Sequence, residues 1–270
     1  MNIGVSTACF YPEDTLDALD KLLANNFNLF EVFFNTYGEI QEPFLNEILK
    51  RTEPKNAIIK SVHPFTSGYE SFLLFSDHIQ RYKETLRFYE LYFKSAVKLG
   101  AKFVVIHGDR RTPEIGGLSN AEYFDRFAEL SLLGEKYGLI VAQENVNLYR
   151  SQKIEFVKEM CDYLGDRAKF VLDIKQAVRS GTNPNDMCEA MGKHLVHIHL
   201  NDNNLEKDCL LPGVGSMDYS KILNTISKNQ YDGDFIIEVY RSNFNDIDDL
   251  VKSYEYVKKT INNSGLYTIV

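Results

Sequence analysis

Across 270 residues the chain has no C-x-x-C pair, no basic leader, no long apolar run and no excess of positive charge. Its four cysteines, Cys9, Cys161, Cys188 and Cys209, stand far apart, which predicts reduced structural thiols in a cytoplasmic protein. The opening MNIGVSTACFYPED sets no basic segment before an apolar core, so no secretory leader is expected. Nowhere does an apolar stretch approach the roughly 20 residues that cross a bilayer, and no membrane partner is expected. Lys and Arg number 30 against 38 Asp and Glu, a net charge of −8. That balance argues against neutralising a phosphate backbone, and so against a nucleic-acid partner. The 7 prolines and 16 glycines are scattered as punctuation. With no Pro/Gly/Ser linker, residues 1–270 are expected to form one domain.

What the chain does contain is alternation. Short apolar runs recur at Ile3–Ser6, Leu29–Phe33, Ile58–His63, Phe103–His107, Ile140–Glu144, Phe170–Asp173, Val196–Leu200 and Phe235–Val239. Amphipathic stretches such as DTLDALDKLLANN and DHIQRYKETLRFYELYFKSAVKLG lie between them, several ending at a glycine (Gly100, Gly138, Gly165) where a left-handed cap is easiest. Strand starts fall roughly 26 to 45 residues apart, the length of a strand-plus-helix unit. Eight such units in strict order predict an α/β fold, a closed (β/α)8 TIM barrel. A doubly wound open sheet is disfavoured because no glycine-rich phosphate loop follows the first strand.

In such a barrel the chemistry collects at the carboxyl ends of the strands. The third strand ends in KSVHPF (His63), the fourth in FVVIHGD (His107) and the fifth in LIVAQEN (Glu144). The sixth ends in FVLDIKQA (Asp173), the seventh in HIHLND (His199) and the eighth in FIIEVYR (Glu238). Closure aims all six at one point on the axis. Carboxylates and imidazoles converging without a cation would repel or be costly to desolvate. One divalent metal ion removes that problem, and the O/N donor set suits Mn, Mg, Co or Zn. Taken singly, each residue has a plainer role: Asp173 as a helix cap, His63 or His107 as a hydrogen-bonded core histidine. Their joint occurrence at equivalent positions of successive strands favours the metal. His197 lies one layer deeper than His199 and is expected to pack beneath the site.

With those residues placed, the chain resembles the xylose isomerase-like TIM-barrel superfamily, which includes ketose 3-epimerases, inosose dehydratase, hydroxypyruvate isomerase and endonuclease IV (the AP endonuclease family 2 group). The resemblance covers essentially the whole chain and is carried by QEN at 143–145, LDIKQA at 172–177, HLND at 199–202, LPGVGSMDY at 211–219 and IIEVYR at 236–241. It implies a metal held by Glu144, Asp173, His199 and Glu238, with Glu144 and Glu238 also acting as the catalytic acid/base pair. His63, His107, Lys175, Gln176 and Arg241 are then expected to contact substrate, and the Pro212–Gly215 turn to shape the rim as a rigid loop. Gln176 stands where many members carry a histidine. Endonuclease IV needs that histidine and another in an Asp-x-His motif, where this chain has Asp208-Cys209-Leu210, so a trinuclear zinc nuclease ranks last. The expected function is a divalent-metal-dependent isomerase or epimerase of a sugar, sugar phosphate or related polyol, working through an enediolate. A lyase of the inosose dehydratase kind is the nearest alternative. Relatives of this kind also imply a homo-oligomer and a place in carbohydrate metabolism.

Overall fold

The computed structural model describes residues 1–269. Eight parallel strands close on themselves in sequence order: β1 (Ile3–Ser6), β2 (Leu29–Phe33), β3 (Ile58–His63), β4 (Phe103–Ile106), β5 (Ile140–Glu144), β6 (Phe170–Asp173), β7 (Leu195–Leu200) and β8 (Phe235–Ile237). Closure is completed where β1 pairs with β8, Ile3 opposite Phe235 and Val5 opposite Ile237. The strands are almost wholly buried because helices cover their outer faces and side chains fill the lumen. The (β/α)8 barrel expected from the alternation is therefore the fold.

The helices are α1 (Thr15–Ala24), α2 (Glu42–Thr52), α3 (Ile79–Lys98), α4 (Asn120–Glu135), α5 (Ile154–Leu164), α6 (Ile174–Arg179), α7 (Pro184–Met191), α8 (Tyr219–Lys228) and α9 (Ile247–Asn263). Local chemistry sets several ends. Ser119 and Glu122 form a reciprocal capping box at the start of α4, and Gly100 and Gly138 take positive φ (+72° and +74°) just beyond α3 and α4. Helix α6 has no counterpart in the periodicity. It is six residues long and follows β6 with no loop, because the Asp173 side chain caps it by accepting from the amides of Lys175 (2.9 Å) and Gln176 (3.4 Å). Strands β4 and β8 stop one and two residues short of the expected ends, leaving His107 and Glu238 just past the ladder.

The lumen holds an apolar and a polar tier side by side. On β4, β5 and β6 lies a small apolar cluster of Val105, Ala142 and Val171. Across from it, on β2, β3 and β7, the filling is polar, with Glu31, Ser61, His197 and His199 all fully buried. Register shifts at Phe30/Glu31 on β2 and Phe170/Val171 on β6 set Glu31 opposite Ser61 and Asp173 opposite His199. In each case the extra residue is on the partner strand, Lys60 of β3 and Val196 of β7, where the ladder skips one position.

Candidate metal centre

The polar tier is built around Glu31. Its Oε2 accepts from Ser61 Oγ at 2.7 Å, His199 Nε2 at 3.1 Å and His197 Nε2 at 3.2 Å, and its Oε1 accepts from Ser6 Oγ at 3.4 Å. Burial alone would push the Glu31 carboxyl up, but the two imidazoles outweigh it and hold it well below the usual carboxylate range. The same contact fixes His199. With Nε2 tied to Glu31, Nδ1 faces the opposite way, 3.3 Å from Glu238 Oε2 and 3.8 Å from Asp173 Oδ2. That nitrogen is buried and has no hydrogen-bond partner.

One donor atom from each of Glu144, Asp173, His199 and Glu238 lies within 4.8 Å of the others. Each is braced from behind. Glu144 Oε2 sits 3.3 Å from His107 Nε2 and 3.5 Å from His63 Nε2. Asp173 is clamped by two asparagines: the Asn145 side chain bonds both its backbone N–H (2.7 Å) and C=O (3.0 Å), and Asn201 Nδ2 donates to Oδ1 at 3.0 Å. The Lys175 ammonium, nearly buried, bridges Asp173 Oδ2 and Glu238 Oε2.

The charge states follow from these contacts. Burial raises each carboxyl of the cluster. Against it, His107 and His63 hold Glu144 well below its ordinary value, and Lys175 and His199 bring Glu238 down to about 2. Burial keeps Asp173 above its ordinary value despite Lys175. Burial would lower the Lys175 ammonium, yet Asp173 and Glu238 raise it well above the ordinary lysine range. His199 is likewise raised by Glu31 and Glu238 against its burial, whereas burial dominates at His107 and His197 and lowers both. Three carboxylates and an imidazole nitrogen without a hydrogen-bond partner, converging at short range, fit a divalent ion of the Mn, Mg, Co or Zn type. His63, His107 and Glu144 form a second group of close donor atoms, sharing Glu144 with the first.

A cavity of about 670 Å³ opens above the cluster, and His63, His107, Glu144, Lys175, Gln176 and Glu238 all reach its wall. Phe33, stacked on His63 at 4.7 Å between ring centroids, and Phe65 complete its apolar side. Gln176 accepts from the amide of Asn147 at 3.1 Å. Arg241 points elsewhere: its guanidinium donates to the carbonyls of Phe244 (2.8 Å) and Asn245 (3.1 Å) and does not line the cavity. The Pro212–Gly215 loop is fastened by Asp202, whose carboxylate accepts from the amides of Gly213 (2.9 Å), Gly215 (3.1 Å) and Met217 (3.0 Å).

The strand-end pattern did not single out Glu31, Asn145 or Asn201. The available signal for Glu31 was a carboxylate inside an apolar strand, LFEVF, a placement costly enough to require a partner. The two asparagines adjoin expected ligands in QEN and HLND.

Comparison with known proteins gives a consistent outline. The profile of the family described as xylose isomerase-like TIM barrel matches residues 19–260. An uncharacterized protein of Methanocaldococcus jannaschii is 24% identical, covering 96% of this chain and 89% of its own. Among solved structures, a D-tagatose 3-epimerase-like protein superposes with a TM-score of 0.79 at 22% identity, covering 98% of both chains. D-psicose 3-epimerase of Clostridium cellulolyticum H10 gives 0.74 at 15%, covering 100% of both. The IOLI protein, solved with a bound zinc atom, gives 0.74 at 16%, covering 98% of both. At such identities these structures establish the shared fold alone.

Proposed function

Because the chain belongs to the xylose isomerase-like TIM barrel family, we propose that it is a metal-dependent isomerase or epimerase acting on a carbohydrate or related polyol. The observation that carries this reading is the convergence of Glu144, Asp173, Glu238 and the partnerless Nδ1 of His199 at the base of an open cavity. These four would hold one divalent ion, and the zinc in the IOLI structure supports that assignment. Such an ion supplies Lewis acidity, polarising a substrate carbonyl and acidifying the neighbouring C–H.

The protein's own groups do the rest. Glu144 and Glu238 come from β5 and the end of β8, three strands apart around the ring, so their carboxylates approach a bound polyol from different sides. One removes the proton and the other returns it. Return to the same carbon from the opposite face gives epimerisation, and return to the adjacent carbon gives aldose–ketose isomerisation. Glu238 owes its low pKa to Lys175 and His199. His63 and His107 orient Glu144 and reach the cavity, where with Lys175 and Gln176 they contact substrate hydroxyls. Arg241, turned away, has no part in this reading.

The test is solvent exchange. Protein loaded with Mn²⁺ in D₂O, offered a panel of ketoses and inososes, should place deuterium on the carbon beside the carbonyl, read by NMR. Glu144→Gln should slow that exchange by about 10²–10⁴-fold while elemental analysis still finds the metal. Loss of water from the product would assign the lyase reading instead. A metal-loaded wild type that exchanges no proton on any member of the panel refutes the proposal.

A further inference from the structure

The cavity over the carboxylate cluster differs sharply between its base and its rim. Its base is charged, but its upper wall carries Tyr11, Phe33, Phe65, Tyr69, Val239 and Tyr240. Three of these rings stand in solvent, Tyr69 at 64% exposure, Tyr11 at 63% and Tyr240 at 42%. Arg179 fixes Tyr240 by lying over its ring at 4.8 Å and donating to its hydroxyl. Tyr11 and Tyr69 have no such neighbour among the side-chain hydrogen bonds and ring contacts of the described residues. Exposed tyrosine faces gathered at a cleft mouth offer large, rigid, amphipathic area suited to the C–H face of a sugar ring.

The space points the same way. The cavity, about 670 Å³, falls within the usual range for a ligand of drug size.

Charge then limits what the outer part of the ligand can be. Among the described residues that line the cavity, Lys175 is the only lysine or arginine, and it stands at the cluster, bridging Asp173 and Glu238. Arginines near the site in sequence face elsewhere: Arg179 bonds Asp208 at 2.6 and 3.0 Å, Arg241 bonds the carbonyls of Phe244 and Asn245, and Arg110 lies over the Tyr149 ring at 4.6 Å in a separate cleft. Loop amides that might cradle an anion are taken too, since Gly213, Gly215 and Met217 all donate to Asp202. A phosphoryl group carrying nearly two charges would find no guanidinium among the residues that line this cavity.

We infer that the substrate is an unphosphorylated saccharide with a second ring, a glycosylated ketose whose reacting end meets the carboxylate cluster and whose outer ring lies against Tyr11 and Tyr69. This rests on the reading of the site as a polyol isomerase or epimerase.

Three probes share one reacting end and differ only at O6: D-fructose, fructose 6-phosphate and isomaltulose, in which O6 carries a glucosyl ring. Calorimetry with the Mn²⁺-loaded full chain should rank isomaltulose about tenfold tighter than fructose, equivalent to ~1.4 kcal/mol, with fructose 6-phosphate no tighter than fructose. In a Tyr11→Ala/Tyr69→Ala variant the isomaltulose-to-fructose ratio should fall to about one. Preference for the phosphate, equal affinity for isomaltulose and fructose, no binding of isomaltulose, or an unchanged ratio in the double variant would each overturn the inference. Binding in the expected order with no solvent exchange on any probe would refute the enzymatic reading and support the ligand class alone, which tells the two failures apart.

Discussion

Replacing Lys175 by Met should loosen the metal-free protein and tighten its hold on metal at the same time. The side chain is 3% exposed and its ammonium bridges Asp173 Oδ2 and Glu238 Oε2, two of the four donors assigned to the ion. Ammonium and divalent ion therefore compete for the same oxygens. Methionine keeps the length and apolar stem but leaves two buried carboxylates without their counter-ion. Breaking a buried pair in this way costs about 3–5 kcal/mol, which for a chain of this size lowers the thermal midpoint by on the order of 10 °C. A divalent ion entering the variant has no ammonium to displace. The same free energy should then appear as metal affinity, a dissociation constant smaller by roughly two to three powers of ten. Thermal melts with chelator and with graded Mn²⁺, alongside chelator-competition titrations, measure both quantities. The variant should melt early without metal and recover, or overtake the wild type, once loaded. A variant as stable as the wild type without metal, or one that binds metal no better, would refute the competition and remove Lys175 from the cluster's charge balance.

Three further outcomes follow from contacts already described. Glu31→Gln keeps the shape but weakens the anchor on His199 Nε2, so metal affinity should fall about 10–100-fold with unchanged far-UV circular dichroism; unchanged affinity would mean that Glu31 only fills the lumen. Glu238 titrates near 2 in the fold against an ordinary 4.5, so its contribution, about 3 kcal/mol, is complete above pH 4.5 and is lost as pH falls toward 2. Urea denaturation of metal-free protein at pH 6, 4 and 3 should show that decline, and the Lys175→Met variant should show less of it. Finally, a Cβ at Gly215 would lie 2.3 Å from Asp202 Oδ1 and 2.4 Å from the Asn203 carbonyl, so Gly215→Ala should destabilise the protein by about 1–3 kcal/mol, read as a lower thermal midpoint with the metal site intact.

The barrel was legible because each strand is a short apolar run whose period survives in the sequence, and the eight fall within two residues of their expected bounds. Helix α6 was not, since six residues give no helical period and its start is set by a carboxylate that also faces the cluster. The strand-end rule pointed to His63, His107, Glu144, Asp173, His199 and Glu238, the family resemblance narrowed the ligand set to Glu144, Asp173, His199 and Glu238, and the fold brings the donor atoms of those four together. It could not reveal Glu31, which sits in the middle of β2, two residues before the strand's end, where a rule about strand ends does not look. Nor could it orient Arg241, whose direction is chosen by two loop carbonyls. The resemblance implies a substrate contact for Lys175, but its position between two carboxylates is set by the first turn of α6, where backbone geometry replaces the strand's alternation.

The packing of a polar tier beside the apolar cluster of Val105, Ala142 and Val171 sets this barrel's durability against its purpose. Buried ion pairs and hydrogen-bonded histidines are often matched or bettered in stability by well-packed hydrocarbon of similar volume, provided the whole network is replaced at once. Selection for robustness alone would extend the aliphatic filling across the lumen and replace Glu31, Ser61, His197 and His199 together with branched apolar side chains. Any one of these changes made singly strands its partners and costs stability, so the network guards itself: the route to a more robust barrel passes through variants that have lost both the site and the fold's margin.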